Sequence, residues 1–138
     1  MQTGALIVRA AAFALLVPAI VLHEVAHGYV AWRLGDPTAR LRGRLSLNPL
    51  VHLDPIGTMM MLFAAVAGRG IGWGKPVPVN PRNLRYGPRI GMGIVSFAGP
   101  LANLVTAAVI GLPLRLRVDL PGSLDTLLLR VMFINIGL

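Results

Sequence analysis

The stretch LIVRAAAFALLVPAIVLHEVAHGYVAWRL, from Leu6 to Leu34, is apolar except at Arg9, at His23, Glu24 and His27, and at Arg33, which ends it. At about 1.5 Å per residue, a helix of this length crosses a hydrocarbon core of about 30 Å. Ionisable side chains are costly inside such a helix, so three of them within five positions point to function rather than packing. The rest of the chain agrees with a bilayer as solvent. Of its 138 residues, 55% are hydrophobic and 13% are charged, and the mean hydropathy is +0.71. Ordinary soluble domains carry about 25% charge. This composition excludes a disordered tail, and the lack of Cys excludes disulfides and thiolate metal sites. A secretory signal would show a small-residue cleavage site after the apolar run, whereas here the same helix continues into charged residues.

The net charge of +8 comes from twelve Arg and one Lys. In a soluble chain it would suggest nucleic acid, but in a hydrophobic one it reports orientation, because basic residues collect in cytoplasmic loops. No nucleic-acid partner is expected, and the expected surroundings are the lipid bilayer. Arg33, Arg40, Arg42 and Arg44 precede the apolar run Ile56 to Gly68, and Lys75, Arg82, Arg85 and Arg89 follow it. Thirteen helical residues span only about 20 Å, too little to cross. A re-entrant segment, with both flanks on the cytoplasmic side, satisfies length and charge together.

Between these segments, Arg40, Arg42, Arg44 and Ser46 alternate with Leu41, Gly43, Leu45 and Leu47, which predicts a short interfacial strand with one basic face. The piece Gly74 to Pro81 (GKPVPVNP) reads as an extended or edge segment, since its prolines cannot sit in a central strand. Ile90 to Leu114 carries no charge and makes a second span, with Gly91, Gly93, Ala98, Gly99 and Ala102 allowing close helix approach. Leu116 to Ser123 is a loop of mixed charge, and a last apolar segment beginning near Leu124 is still apolar at Leu138. The fold expected is an α-helical integral membrane protein, one membrane-embedded domain over residues 1–138. It has about three spans, the last incomplete, a short re-entrant segment and small interfacial β-strands.

His23-Glu24-Val25-Ala26-His27 is an HExxH pattern. Positions i and i+4 share a helix face, so two imidazoles can chelate one Zn²⁺ while the intervening carboxylate works on water. The metal makes water acidic enough to attack, and the carboxylate takes its proton and passes it to the leaving amine. Glu24 is the sole glutamate of the chain, and His23 and His27 are two of its three histidines. His52 and Asp54 form a second polar group, read as a turn because Asp before Pro commonly starts one, with a metal role as the other reading. Asn103, inside the second span, either orients the catalytic groups or bonds across to a neighbouring helix. Met59 to Met61 read as adaptable packing.

Four ordered motifs carry a resemblance: HEVAHG at His23 to Gly28, GRLSLNPLVHLDPIG at Gly43 to Gly57, GKPVPVNP at Gly74 to Pro81, and AGPLAN at Ala98 to Asn103. Together they resemble the site-2 protease family of intramembrane zinc metalloproteases, in its compact bacterial branch without an inserted PDZ domain. The resemblance implies a membrane-embedded peptidase domain in which His23 and His27 are zinc ligands and Glu24 is the catalytic acid/base. It further implies substrates that are membrane proteins, cut in or near their transmembrane segments, and a place in a bacterial cell membrane with the active site toward the cytoplasm. The family closes its metal site with an Asp-Gly motif that this sequence lacks. Phe133, Asn135 and Leu138 look like the run leading into it, so the third ligand is expected beyond Leu138, and a chain of 138 residues alone is expected to be inactive. Asp119 and Asp125 do not match that motif and receive no ligand role. An alternative of another class is a non-catalytic membrane scaffold, or a degenerate protease that holds transmembrane partners without cutting them.

Overall fold

The computed structural model describes residues 2–67, 73–116 and 122–137. Its longest helix, α1 (Gln2–Arg33), runs through Pro18 and carries the HExxH group in its second half. Gly35 ends it at φ +105°, a left-handed conformation that side-chain-bearing residues avoid. The Gly35 amide bonds the Trp32 carbonyl at 3.0 Å and the Asp36 amide bonds that of Ala31 at 2.9 Å, a Schellman stop.

The chain then makes a single helical turn, α2 (Thr38–Leu41). The strand expected from Arg40 to Leu47 is therefore absent. Asp36 explains the difference: its carboxylate accepts from the Thr38 amide at 3.2 Å and from the Thr38 hydroxyl, which starts a helical turn where alternation predicted extension. Gly43, at φ +66°, closes that turn with a second Schellman stop, in which the Arg44 amide bonds the Ala39 carbonyl at 2.9 Å. The arginines do not share a face either. Arg40 lies 4.7 Å over the Trp32 ring, while Arg44 is buried. Among the described residues the structure contains no sheet, only one antiparallel bridge between Leu53 and Gly74.

Helix α3 (Pro55–Ala67) has 13 residues and does not reach the length of a span. Its start is fixed by Asp54, whose carboxylate accepts from the Gly57 amide at 2.8 Å. The last residue of the expected apolar run, Gly68, lies outside the described residues. From Gly74 to Asn80 the chain is extended, as expected, and leads through a 3-10 turn at Pro81–Asn83 into α4 (Gly87–Arg115). The final helix, α5 (Gly122–Gly137), has 16 residues. Most of the loop expected at Leu116 to Ser123, with Arg117 and Asp119, lies outside the described residues, as does Leu138.

Two helical stretches, Ala14–Arg33 of α1 and Gly87–Arg115, are long and apolar enough to cross a membrane. Helix α4 buries a stripe at a spacing of four, namely Gly91, Val95, Gly99, Asn103 and Ala107. That stripe is what helix periodicity requires of one contact face. The rest of α4 stays apolar and exposed, at Ile90, Phe97, Leu104, Val105, Val109 and Leu112. Gly91 packs against Leu84 and Gly99 against the two histidines of α1, as close approach demands. Gly93 has nothing within 4 Å of an added Cβ, so it takes no part in the contact.

Asp36 also ties the extended segment to the end of α1. It is 0% exposed, and besides Thr38 it accepts from the Asn80 amide at 2.7 Å and the Asn83 side chain at 3.0 Å. Burial alone would raise its carboxyl, but the Thr38 hydroxyl and the amides of Asn80, Asn83 and Thr38 outweigh burial and hold it below the usual carboxylate range. Its contribution to stability is therefore complete above the ordinary carboxylate value of about 3.9 and is lost as pH falls through the lowered folded value. Asp36→Ala should cost about 3 kcal/mol, because several buried donors lose one charged acceptor. A lowered thermal midpoint in detergent would show it. Asp36→Asn should flatten the acid limb of the midpoint-against-pH curve, and an unchanged limb would contradict this reading.

Candidate active site

Helix periodicity places His23 and His27 one turn apart on α1, with ring centroids 4.7 Å apart and ring planes at 79°. Each ring is held through Nδ1 by α4. His27 Nδ1 lies 2.7 Å from the Val95 carbonyl, and since a carbonyl only accepts, the His27 proton sits on Nδ1 and its Nε2 carries a free lone pair. His23 Nδ1 lies 2.9 Å from the side-chain amide of Asn103. Val95 and Asn103 are two turns apart on α4, with Gly99 between them.

Both Nε2 atoms converge on Gly99. A Cβ built there would lie 2.4 Å from Nε2 of His27 and 2.5 Å from Nε2 of His23. Only a residue without a side chain leaves that notch open. Two imidazoles held side by side over Gly99, with the His27 Nδ1–H given to a carbonyl as in metal-binding histidines, fit a divalent metal ion once the His23 proton also lies on Nδ1. Among the described residues no third His, Cys, Asp or Glu joins them.

Glu24 lies on the same turn and borders a cavity of about 460 Å³ with His27, Pro76, Val77, Val95 and Ser96. Its Oε2 accepts from the Val77 backbone amide at 3.0 Å. The extended segment is thus pinned beside the carboxylate, and the backbone groups of Lys75 and Pro76 are held as well. The Lys75 amide bonds the His52 carbonyl at 2.7 Å, and the Arg44 guanidinium donates to the carbonyls of Lys75 and Pro76. Gly28 permits this approach, since a Cβ there would meet Leu45 at 2.8 Å and Val77 at 3.0 Å.

The remaining polar positions divide. Asn103 does join the histidines. His52 does not: it is fully buried, and its Nε2 lies 2.7 Å from the Ser46 carbonyl. Asp54 caps α3 through the Gly57 amide. Sequence reasoning missed Asp36 and Arg44, which lock the 38–44 turn and the 74–83 segment together. The Asp36-Pro37-Thr38 order was a usable turn signal for the first.

The chain is 47% identical over 94 residues to a Bacillus subtilis (strain 168) protein named "Putative zinc metalloprotease YwhC", covering 68% of this chain and 40% of that protein. It is 37% identical over 92 residues to "Putative zinc metalloprotease Rip2" of Mycolicibacterium smegmatis, covering 66% of this chain and 34% of the relative. The Mycobacterium tuberculosis protein of the same name is 35% identical over 102 residues, 72% of this chain and 38% of that one. The chain thus spans about two fifths or less of the length of the curated relatives it matches. No family model and no solved structure matches it. Relatives that carry the name zinc metalloprotease, together with a histidine pair opening on a glycine notch beside a glutamate, place this chain in the site-2 protease family.

Proposed function

We propose that this chain carries part of the active site of an intramembrane zinc endopeptidase that hydrolyses peptide bonds in or near transmembrane segments. The observation that supports this most is the convergence of His23 Nε2 and His27 Nε2 on Gly99, with Glu24 and His27 lining one cavity. Zinc held by these nitrogens would acidify water and polarise the scissile carbonyl. Glu24 supplies the proton traffic. With Oε2 tied to the Val77 amide, Oε1 is left to take a proton from the attacking water. The same carboxyl then delivers that proton to the amine released, so one water is consumed, one C–N bond breaks, and a carboxylate and an amine result.

Location follows from surface chemistry. The exposed apolar faces of α1 and α4 suit lipid, and the exposed Arg33, Arg40, Arg42, Arg82, Arg85 and Arg89 suit the cytoplasmic interface. A helical substrate must unwind before its peptide bond can be attacked, because its backbone groups are already paired. Of the two segments expected to offer a strand edge, Arg40 to Leu47 and Gly74 to Pro81, only the second is extended, from Gly74 to Asn80, and it borders the cavity that holds Glu24. It is the segment on which an unwound substrate would lie.

A scaffold that holds transmembrane partners without cutting them is favoured by one observation, the lack of a third protein ligand among the described residues. Catalytic zinc normally takes three protein ligands. One experiment separates the two readings: cleavage of a transmembrane reporter by the protein in sealed membrane vesicles, with a membrane-impermeant chelator added outside. Inverted vesicles should lose cleavage and regain it with zinc, and right-side-out vesicles should be unaffected. Binding of the reporter without any metal-dependent cleavage, by protein that carries the third ligand expected beyond Leu138, would establish the scaffold.

A further inference from the structure

We infer that Asn103 is a positioning residue for His23, holding its ring so that Nε2 faces the Gly99 notch as a lone-pair donor. This rests on the metal reading above and adds to it a group that does not line the cavity with Glu24.

Asn103 is 1% exposed, and its only partner among the described residues is His23 Nδ1. Its Oδ1 is buried without a partner. His27 shows what a metal-facing Nε2 requires: the proton must sit on Nδ1 and must find an acceptor there, which the Val95 carbonyl provides. Two turns away on the same face of α4, no backbone carbonyl among the described residues bonds His23 Nδ1, and the Asn103 amide takes that place. An amide, unlike a carbonyl, can turn over and exchange Oδ1 for Nδ2 within the same outline. With Nδ2 toward Nδ1, the ring is held with its proton on Nε2. With Oδ1 toward Nδ1, the proton moves to Nδ1 and Nε2 becomes a ligand. Asn is thus suited to hold the ring both before and after a metal enters, and the oxygen now without a partner gains one in the second state.

The test is the zinc affinity of the full chain in detergent, with the thermal midpoint of the metal-free protein measured beside it. Asn103→Leu keeps the volume but offers no acceptor, and should weaken zinc about 10- to 100-fold, the effect typical of losing such a partner. Asn103→Asp keeps an acceptor and should retain affinity within a few fold of wild type. Leu and Asp variants that weaken zinc equally would overturn the inference, because packing alone would then account for both, and so would a Leu variant with wild-type affinity. Should the Leu variant fail to fold, the imidazole nitrogen spectra of zinc-loaded wild type decide: a hydrogen-bonded His23 Nδ1–H supports the inference, and an unbonded one overturns it. Wild-type protein that binds no zinc would refute the metal reading itself, a result read from the wild-type arm alone.

Discussion

Replacing Gly99 by Ala should abolish metal binding and leave the helices in place. The added methyl would stand 2.4 Å from His27 Nε2 and 2.5 Å from His23 Nε2, inside contact distance of both atoms, so both rings would have to leave their present positions. In helix propensity the exchange favours Ala by roughly 1 kcal/mol, so helix content should not fall on that account. The two histidines cannot simply back away, because their Nδ1 atoms are fixed to Val95 and Asn103. Elemental analysis of the variant should find no zinc where wild type has it, and proteolysis should vanish with the metal. Gly93→Ala is the control, since its Cβ would meet nothing within 4 Å. Zinc retained in full by Gly99→Ala would mean that the notch is not where the metal sits.

Glu24→Gln should have the opposite signature, with metal kept and cleavage lost. The amide has nearly the shape of the carboxylate and can still accept from the Val77 amide, so the extended segment should stay docked. What it cannot do is take a proton from water. Removing a general base costs about 10² to 10⁴ in rate. Zinc content equal to wild type with cleavage reduced by that factor is the expected result, and cleavage at the wild-type rate would remove Glu24 from the mechanism.

Legibility from sequence differed with the range of the interactions involved. Helices α1, α3, α4 and α5 were readable because apolar runs are long-range averages that no single contact overturns. The HExxH spacing was readable because one helix supplies both histidines and the glutamate. The Arg40 to Leu47 segment was misread because alternation is only a pattern of side chains, and Asp36 and Gly43 set the backbone through local hydrogen bonds and a left-handed residue. Gly99 was counted among residues that let helices approach, but nothing in the sequence could say that the approaching atoms would be the two Nε2 nitrogens. Arg44 was read as one of a basic row facing the membrane surface. Its burial against the Lys75 and Pro76 carbonyls depends on a contact 31 residues away, which no local window contains.

The central claim is that His23 and His27 hold zinc through Nε2 beside Glu24. Zinc-edge X-ray absorption of the metal-loaded protein tests it most directly. The account predicts two imidazole nitrogens in the first coordination shell at about 2.0 to 2.1 Å, with their outer-ring scattering visible, and the loss of that signal in His23→Ala and His27→Ala. A zinc spectrum built from oxygen alone, or one that both alanine variants leave unchanged, would contradict it.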